Sequence, residues 1–313
     1  MKKFIAILLC ICVVAMSGCG AVSTQKNNNL IVTSLYPIYI FTLNIVDGVD
    51  EVDVKCMAEQ NMGCLHDYSL TAGDAKLISD CRVFVINGAG MEGFLEDIKS
   101  LSQETQVIDS SEGIPLICAH HTEGDEHTEA EHDHAHAENS HIWMSVGNAI
   151  IQVENICNGL CKAFPEYEKE FRENTAEYIG RLKALQKEIW TAGKSLAGKS
   201  FISFHDAYVY LAKDLGFNIL TTVESDEGGE PSAKMLAHLS DEIKTNDVAA
   251  LVVEENYTGS AATILSNEAN IKICVLNPVL KGAKEKDAYE AIMRENIIRV
   301  EKAVENTDST KGW

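Results

Sequence analysis

The sequence predicts an α/β protein of two lobes with parallel-type sheets and surrounding helices, bridged by one long rigid helix. Three observations predict it. Short β-rich runs at 30–34, 52–56, 83–87 and 106–109 are interleaved with helical patterns at 69–79 and 91–101. The same rhythm returns in runs at 201–204, 219–223, 249–253 and 271–276, with helical patterns at 208–215, 233–244 and 261–269. Strands alternating with helices read as βαβ units, which build parallel sheets. Between the two sets, Phe171, Tyr178, Leu182, Leu185 and Ile189 recur at helical spacing in a stretch without proline, 166–196. A helix of that length is about 45 Å long, longer than a crossover requires and suited to a rod joining two lobes. A further amphipathic helix is expected at 287–304. The expected organisation is therefore a lobe at 30–165, a linking helix at 166–198 and a second lobe at 199–313. A ligand site would lie in the cleft between the lobes.

The N-terminus is laid out as an export signal. Lys2 and Lys3 precede an apolar run, 4–14, that is too short to span a bilayer, and small residues follow. Met16-Ser17-Gly18-Cys19 resembles a bacterial lipobox, in which Cys19 becomes the lipidated first residue. Residues 1–18 are then a signal peptide and 19–29 a polar tether, placing the protein outside the cytoplasm on a lipid anchor. Lysine and arginine number 26 against 47 acidic residues, a formal charge of −21. That balance argues against nucleic acid as a partner and against charge-driven binding to anionic lipid, and it attracts cations. Beyond the leader and Cys19, the cysteines are Cys56, Cys64, Cys81, Cys118, Cys157, Cys161 and Cys274. Their odd number leaves at least one thiol unpaired in a monomer. Cys157 and Cys161, one helical turn apart in an apolar stretch, read as buried small hydrophobes.

The histidines carry the chemistry. His120, His121, His127, His132, His134 and His136 crowd into residues 120–139 among interleaved acids, with no apolar period. Such a segment packs no core and offers an accessory metal loop of high local imidazole concentration. Of the others, His66, His141 and His205 each stand at a junction leading into a helical pattern. In open α/β folds such junctions form the ligand crevice. Imidazole is the commonest protein metal ligand and suits zinc. His238 falls mid-helix and reads as a surface or packing residue. Gly193-Lys194-Ser195-Leu196-Ala197-Gly198-Lys199-Ser200 satisfies the phosphate-loop pattern, but a helix enters it and a strand leaves, the reverse of the order that chemistry needs.

These residues resemble a known family. Ser34-Leu35-Tyr36-Pro37-Ile38-Tyr39, His66-Asp67-Tyr68-Ser69-Leu70, Asn87-Gly88-Ala89-Gly90-Met91-Glu92, His141-Ile142-Trp143-Met144 and Phe204-His205-Asp206-Ala207-Tyr208 are similar, in order, to the motifs of the zinc/manganese solute receptors of bacterial ABC importers. The resemblance runs from about Leu30 to the C-terminus. It implies two lobes bridged by a long helix, Zn²⁺ bound between them by His66, His141 and His205, and delivery to an ABC permease. It also implies that the acidic His-rich loop marks zinc members. The expected partners are that permease and the membrane, with the chain a monomer and no catalytic activity. Binding across the lobes would let metal bias their relative positions, and protonation of the histidines would weaken binding below about pH 6.

Family members often carry Asp-Pro near the last strand, where this chain has Asn277-Pro278. The fourth ligand is therefore left among water, Asn277 and a loop histidine, with Cys64 a further thiol near His66. Asp206, Glu254 and Glu255 read as outer-shell groups. Three other readings remain: a manganese or broad-metal receptor, a surface metal buffer or adhesin, and a zinc hydrolase. The last finds no H-E-x-x-H motif to support it.

Overall fold

The computed structural model describes residues 27–58, 68–95, 105–118, 138–223 and 231–305. Cys19, Cys64, His66 and the six-histidine segment lie outside the described residues. The first lobe comprises β1 (Asn27–Thr33), α1 (Tyr36–Ile45), β2 (Asp53–Cys56), α2 (Ala72–Asp80), β3 (Cys81–Ile86), β4 (Gln106–Asp109) and α3 (Val146–Ala163). The linking helix is α4 (Glu168–Leu196). The second lobe follows with β5 (Ser200–Ser203), α5 (Val209–Leu215), β6 (Asn218–Thr222), α6 (Ala233–Thr245), β7 (Val248–Glu254), α7 (Ala261–Ala269), β8 (Lys272–Leu276) and α8 (Ala288–Glu305). Among the described residues no helix is long and apolar enough to cross a membrane.

The two sheets repeat one topology. Their strand orders are β2-β1-β3-β4 and β6-β5-β7-β8, and every pairing is parallel. In each sheet the order reverses direction beside its first strand, so a switch point opens at the C-terminal ends of β1 and β3, and of β5 and β7. The strand termini of both sheets thus prepare a crevice before any functional residue is considered.

Local chemistry explains the helices. Thr71 and Asp74 form a capping box that starts α2, and the Ser145 hydroxyl accepts the Asn148 N–H to start α3. Helix α1 begins with Pro37 at its first turn, and nine of its ten residues are buried, so it shows no polar face. Helix α4 buries Phe171, Tyr178, Leu182, Leu185, Ile189 and Leu196 along one side. One apolar cluster runs through both lobes, including Ile38, Phe41, Trp143, Tyr178, Leu211 and Tyr289. Hydrogen bonds stitch the same boundary. The Trp143 indole donates to the Pro278 carbonyl at 2.8 Å, Tyr289 to the Trp143 carbonyl at 2.7 Å, and Tyr36 to the Ala283 carbonyl at 2.6 Å.

The first lobe fills its own switch point with a carboxylate. Glu92 is buried and accepts from the Ser34 hydroxyl at 2.6 Å and from the N–H groups of Asn87 and Gly88 at 2.8 and 3.0 Å. Gly88 has φ +80°, and a Cβ there would lie 2.0 Å from an Asp109 carboxylate oxygen, so only glycine fits. Burial pushes the Glu92 carboxyl up from 4.5 to about 7, against the opposing pull of its donors. Between those values the folded protein holds a proton that the unfolded chain has released. The stability this proton supplies is present below about 4.5 and is lost as pH rises through about 7. Chemical denaturation across this window should show up to about 3 kcal/mol of such loss in the wild type and a flatter profile in Glu92→Gln. Identical profiles would remove Glu92 as the source.

Candidate metal centre

Strand register places the first pair of site residues. Ser203 on β5 faces Val252 on β7. Two residues further along each strand, at the switch point, stand His205 and Glu254. The Glu254 carboxylate takes a short hydrogen bond from Nδ1 of His205. Just beyond β5 the chain turns into a 3₁₀ segment, Asp206–Tyr208, which carries Asp206 beside the imidazole. Its Oδ1 lies 3.4 Å from Nε2 of His205.

His141 arrives from the first lobe, just ahead of the 3₁₀ turn Ile142–Met144. Its side chain is fully buried, and its ring centroid lies 4.9 Å from that of His205 with the planes at 84°. Nδ1 of His141 lies 3.1 Å from the Asn139 side-chain oxygen and 3.3 Å from Oδ1 of Asp206. The Asn139 amide is oriented unambiguously. Its oxygen accepts the His141 N–H at 2.9 Å, while its nitrogen donates to the Asp206 carbonyl and to Oδ2 at 2.9 and 3.0 Å.

These contacts bear on the tautomers. Both neighbours of the His141 Nδ1 are acceptors, and so is the Glu254 carboxylate beside the His205 Nδ1. These acceptors suit a proton on each Nδ1, and in that tautomer the Nε2 of both rings is the nitrogen able to present a lone pair to a metal. His141, His205 and Asp206 can each present one donor atom, all within 4.8 Å of one another. Imidazole nitrogens joined by a carboxylate form a donor set that suits zinc and other borderline cations.

Asn277 lies beyond β8, where its oxygen accepts the Val279 N–H at 2.8 Å and its nitrogen donates to Glu255 at 3.0 Å. Both ends of that amide are thus engaged next to the site. Val279 needs the bond, because its φ of +61° is strained for a β-branched residue. His238 is exposed on α6, away from the cluster. Cys157 and Cys161 are buried on α3, with sulfurs 3.9 Å apart that contact the carbonyls of Phe171 and Glu168. His66, Cys64 and the loop histidines lie outside the described residues, although Tyr68, two residues after His66, is held by a 2.6 Å bond to Asp74. Asn139 has no signature in the sequence. It closes a polar stretch that reads as loop, and its value comes from contacts made only in the folded chain.

Comparison with known proteins agrees with this architecture. Zinc-binding protein AdcA of Streptococcus pyogenes serotype M3 is 35% identical over 283 residues, covering 85% of this chain and 54% of the relative. High-affinity zinc uptake system protein ZnuA of Bacillus subtilis is 32% identical over 298 residues, covering 91% and 92%. The chain spans about half the length of the AdcA relatives it matches. Among solved structures, the metal-dependent lipoprotein YcdH of Bacillus subtilis has a TM-score of 0.72 at 30% identity, over 88% of this chain and 98% of that one. The nickel-bound solute-binding protein FpvC of Pseudomonas aeruginosa has a TM-score of 0.74 at 26% identity, over 89% and 97%. The family model described as the periplasmic zinc-uptake complex component A matches residues 31–303, so the chain belongs to that family.

Proposed function

We propose that this protein is an extracytoplasmic receptor that captures Zn²⁺ and delivers it to an ABC import permease. The observation that carries the proposal is the meeting of His141 and His205, one from each lobe, around the Asp206 carboxylate, with both Nδ1 atoms held by acceptors. His66 supplies a third imidazole and Asp206 the carboxylate, which relieves Asn277 of a ligand role. Mostly nitrogen ligation favours zinc over manganese, a harder ion that prefers oxygen. Cys19 carries the lipid anchor, and the His-rich segment collects ions for the buried site. Function is binding and release, without catalytic turnover. The names of the AdcA and ZnuA relatives support zinc as the cargo.

Competition titration tests this reading. Purified protein is titrated with Zn²⁺ against a chelator, then challenged with excess Mn²⁺, alongside a variant lacking residues 120–139. Tight zinc binding that survives both the challenge and the deletion is expected. Displacement by Mn²⁺, or loss of tight binding on deletion, would replace the reading with a broad-metal receptor or a loop-based metal buffer.

A further inference from the structure

We propose that the outer face of α4 is a membrane-contact stripe that lays the protein against a bilayer of anionic phospholipid. Lys183, Lys187, Trp190 and Lys194 follow one another at steps of four, three and four residues, which places them on one line along the helix. All four are exposed, and Trp190, at 59%, is the most exposed large hydrophobic side chain among the described residues. The line continues back through Gly180 and Ala176 without an acidic residue.

The pairing pattern sets this line apart. Elsewhere on α4, Lys169 pairs with Glu173 and Arg172 with Glu168. Glu188, the acid adjoining the stripe, is held by Arg294 through contacts of 2.8 and 3.2 Å. Among the described residues, the side-chain ammonium groups of Lys183, Lys187 and Lys194 make no ion pair or hydrogen bond, and the one side-chain contact to this set is the Thr191 hydroxyl donating to the Lys187 carbonyl at 2.8 Å. The helix macrodipole favours a cation in the last turn, which accounts for Lys194. It does not account for Lys183, Lys187 or an indole in solvent.

Position supports the assignment. The start of α4 adjoins the start of β3, where Arg82 binds the Ala163 carbonyl and lies 4.0 Å from Glu166. Its end passes through Gly198 and Lys199 to the start of β5, pinned by Gly198 to Gly216 and Asn218 to Lys199 backbone bonds. The helix therefore crosses the N-terminal ends of the strands, whereas the metal cluster follows their C-terminal ends. Asn27, where β1 begins, pairs with Cys81 at that same N-terminal end. A protein resting on the stripe presents its metal crevice outward.

The net charge of −21 argues against lipid binding by the surface as a whole, but not against contact through one basic face. Screening confines electrostatics to about 8 Å at physiological salt, so the facing surface decides the sign. Lysines meet anionic headgroups, and the indole takes the interfacial depth that tryptophan prefers.

The full-length protein on vesicles of brominated phosphatidylglycerol or brominated phosphatidylcholine tests the proposal, with Trp190→Phe isolating the Trp190 emission from that of Trp143 and Trp313. Quenching of Trp190 by phosphatidylglycerol alone, reversed by high salt, is expected. The ratio of quenched to unquenched Trp190 should fall about fivefold for each of Lys183→Gln, Lys187→Gln and Lys194→Gln. Equal quenching in both lipids would overturn recognition of anionic headgroups by the lysines, and no quenching in phosphatidylglycerol would overturn membrane contact altogether and leave an acidic protein as the partner of this face.

Discussion

Replacing His205 with alanine should lower zinc affinity by about a hundred- to a thousandfold. A four-ligand zinc site is worth about 10–16 kcal/mol, so losing one ligand forfeits about a quarter of that, two to three decades in affinity. His205 stands at the switch point of the second sheet, with Glu254 on one ring nitrogen and Asp206 3.4 Å from the other. His141→Ala should give a loss of the same order. Glu254→Gln keeps the ligand and only loosens its orientation, so a smaller loss of about 10- to 100-fold is expected. Chelator competition on the three variants, each checked for an unchanged apo thermal midpoint, orders the effects. Wild-type affinity in His205→Ala would place the tight site elsewhere.

Trp143→Ala should destabilise the whole protein by about 3–5 kcal/mol. Among the described residues, Trp143 is the largest fully buried side chain, and it belongs to the apolar cluster that both lobes share. Truncation leaves a cavity at the lobe boundary and strips the Pro278 carbonyl of the indole N–H, its 2.8 Å donor. Trp143→Phe keeps most of the volume and should cost about half as much. Because the largest apolar cluster spans both lobes, with a smaller one in each lobe beside it, urea unfolding should show one transition, shifted in midpoint by the variants. Separate transitions for the two lobes in the wild type would contradict a shared core. The same continuity bears on how metal is sensed. A wide hinge opening would have to break this buried boundary, so the response to metal is expected in the loops around the crevice.

The strands were the most legible part of the chain. Each of the eight β-rich runs overlaps an observed strand: the central strands, such as β3 and β7, are buried on both faces and read as short apolar segments, while the edge strands β2, β4, β6 and β8 are partly exposed yet still bounded by polar turns. Helix α1 was not legible, since burial on nearly every side removes the periodicity that marks a helix. At the candidate site, His141 and His205 stood out through their junction positions. Their supporting contacts did not: Asn139 reaches Asp206 across 67 residues, and the Asn277 amide is engaged by a strained Val279 that no local pattern announces. Such roles arise from tertiary geometry and leave no period in the sequence.

Two fixed posts among the described residues, Cys118 and Glu138, flank the segment 119–137. Cys118 and Glu138 form an antiparallel bridge, and the Asn139 N–H reaches the Ile117 carbonyl at 2.8 Å. The Tyr210 hydroxyl then accepts the Ile117 N–H and donates to the Asn139 carbonyl, tying both posts to the second lobe. Closing a chain between fixed ends becomes harder only with the logarithm of its length. Selection can therefore lengthen, shorten or recompose this insert without moving Asn139 or the histidine it orients. For protein engineering, the same posts mark a place where a foreign reporter domain could be spliced in while the buried chemistry stays intact.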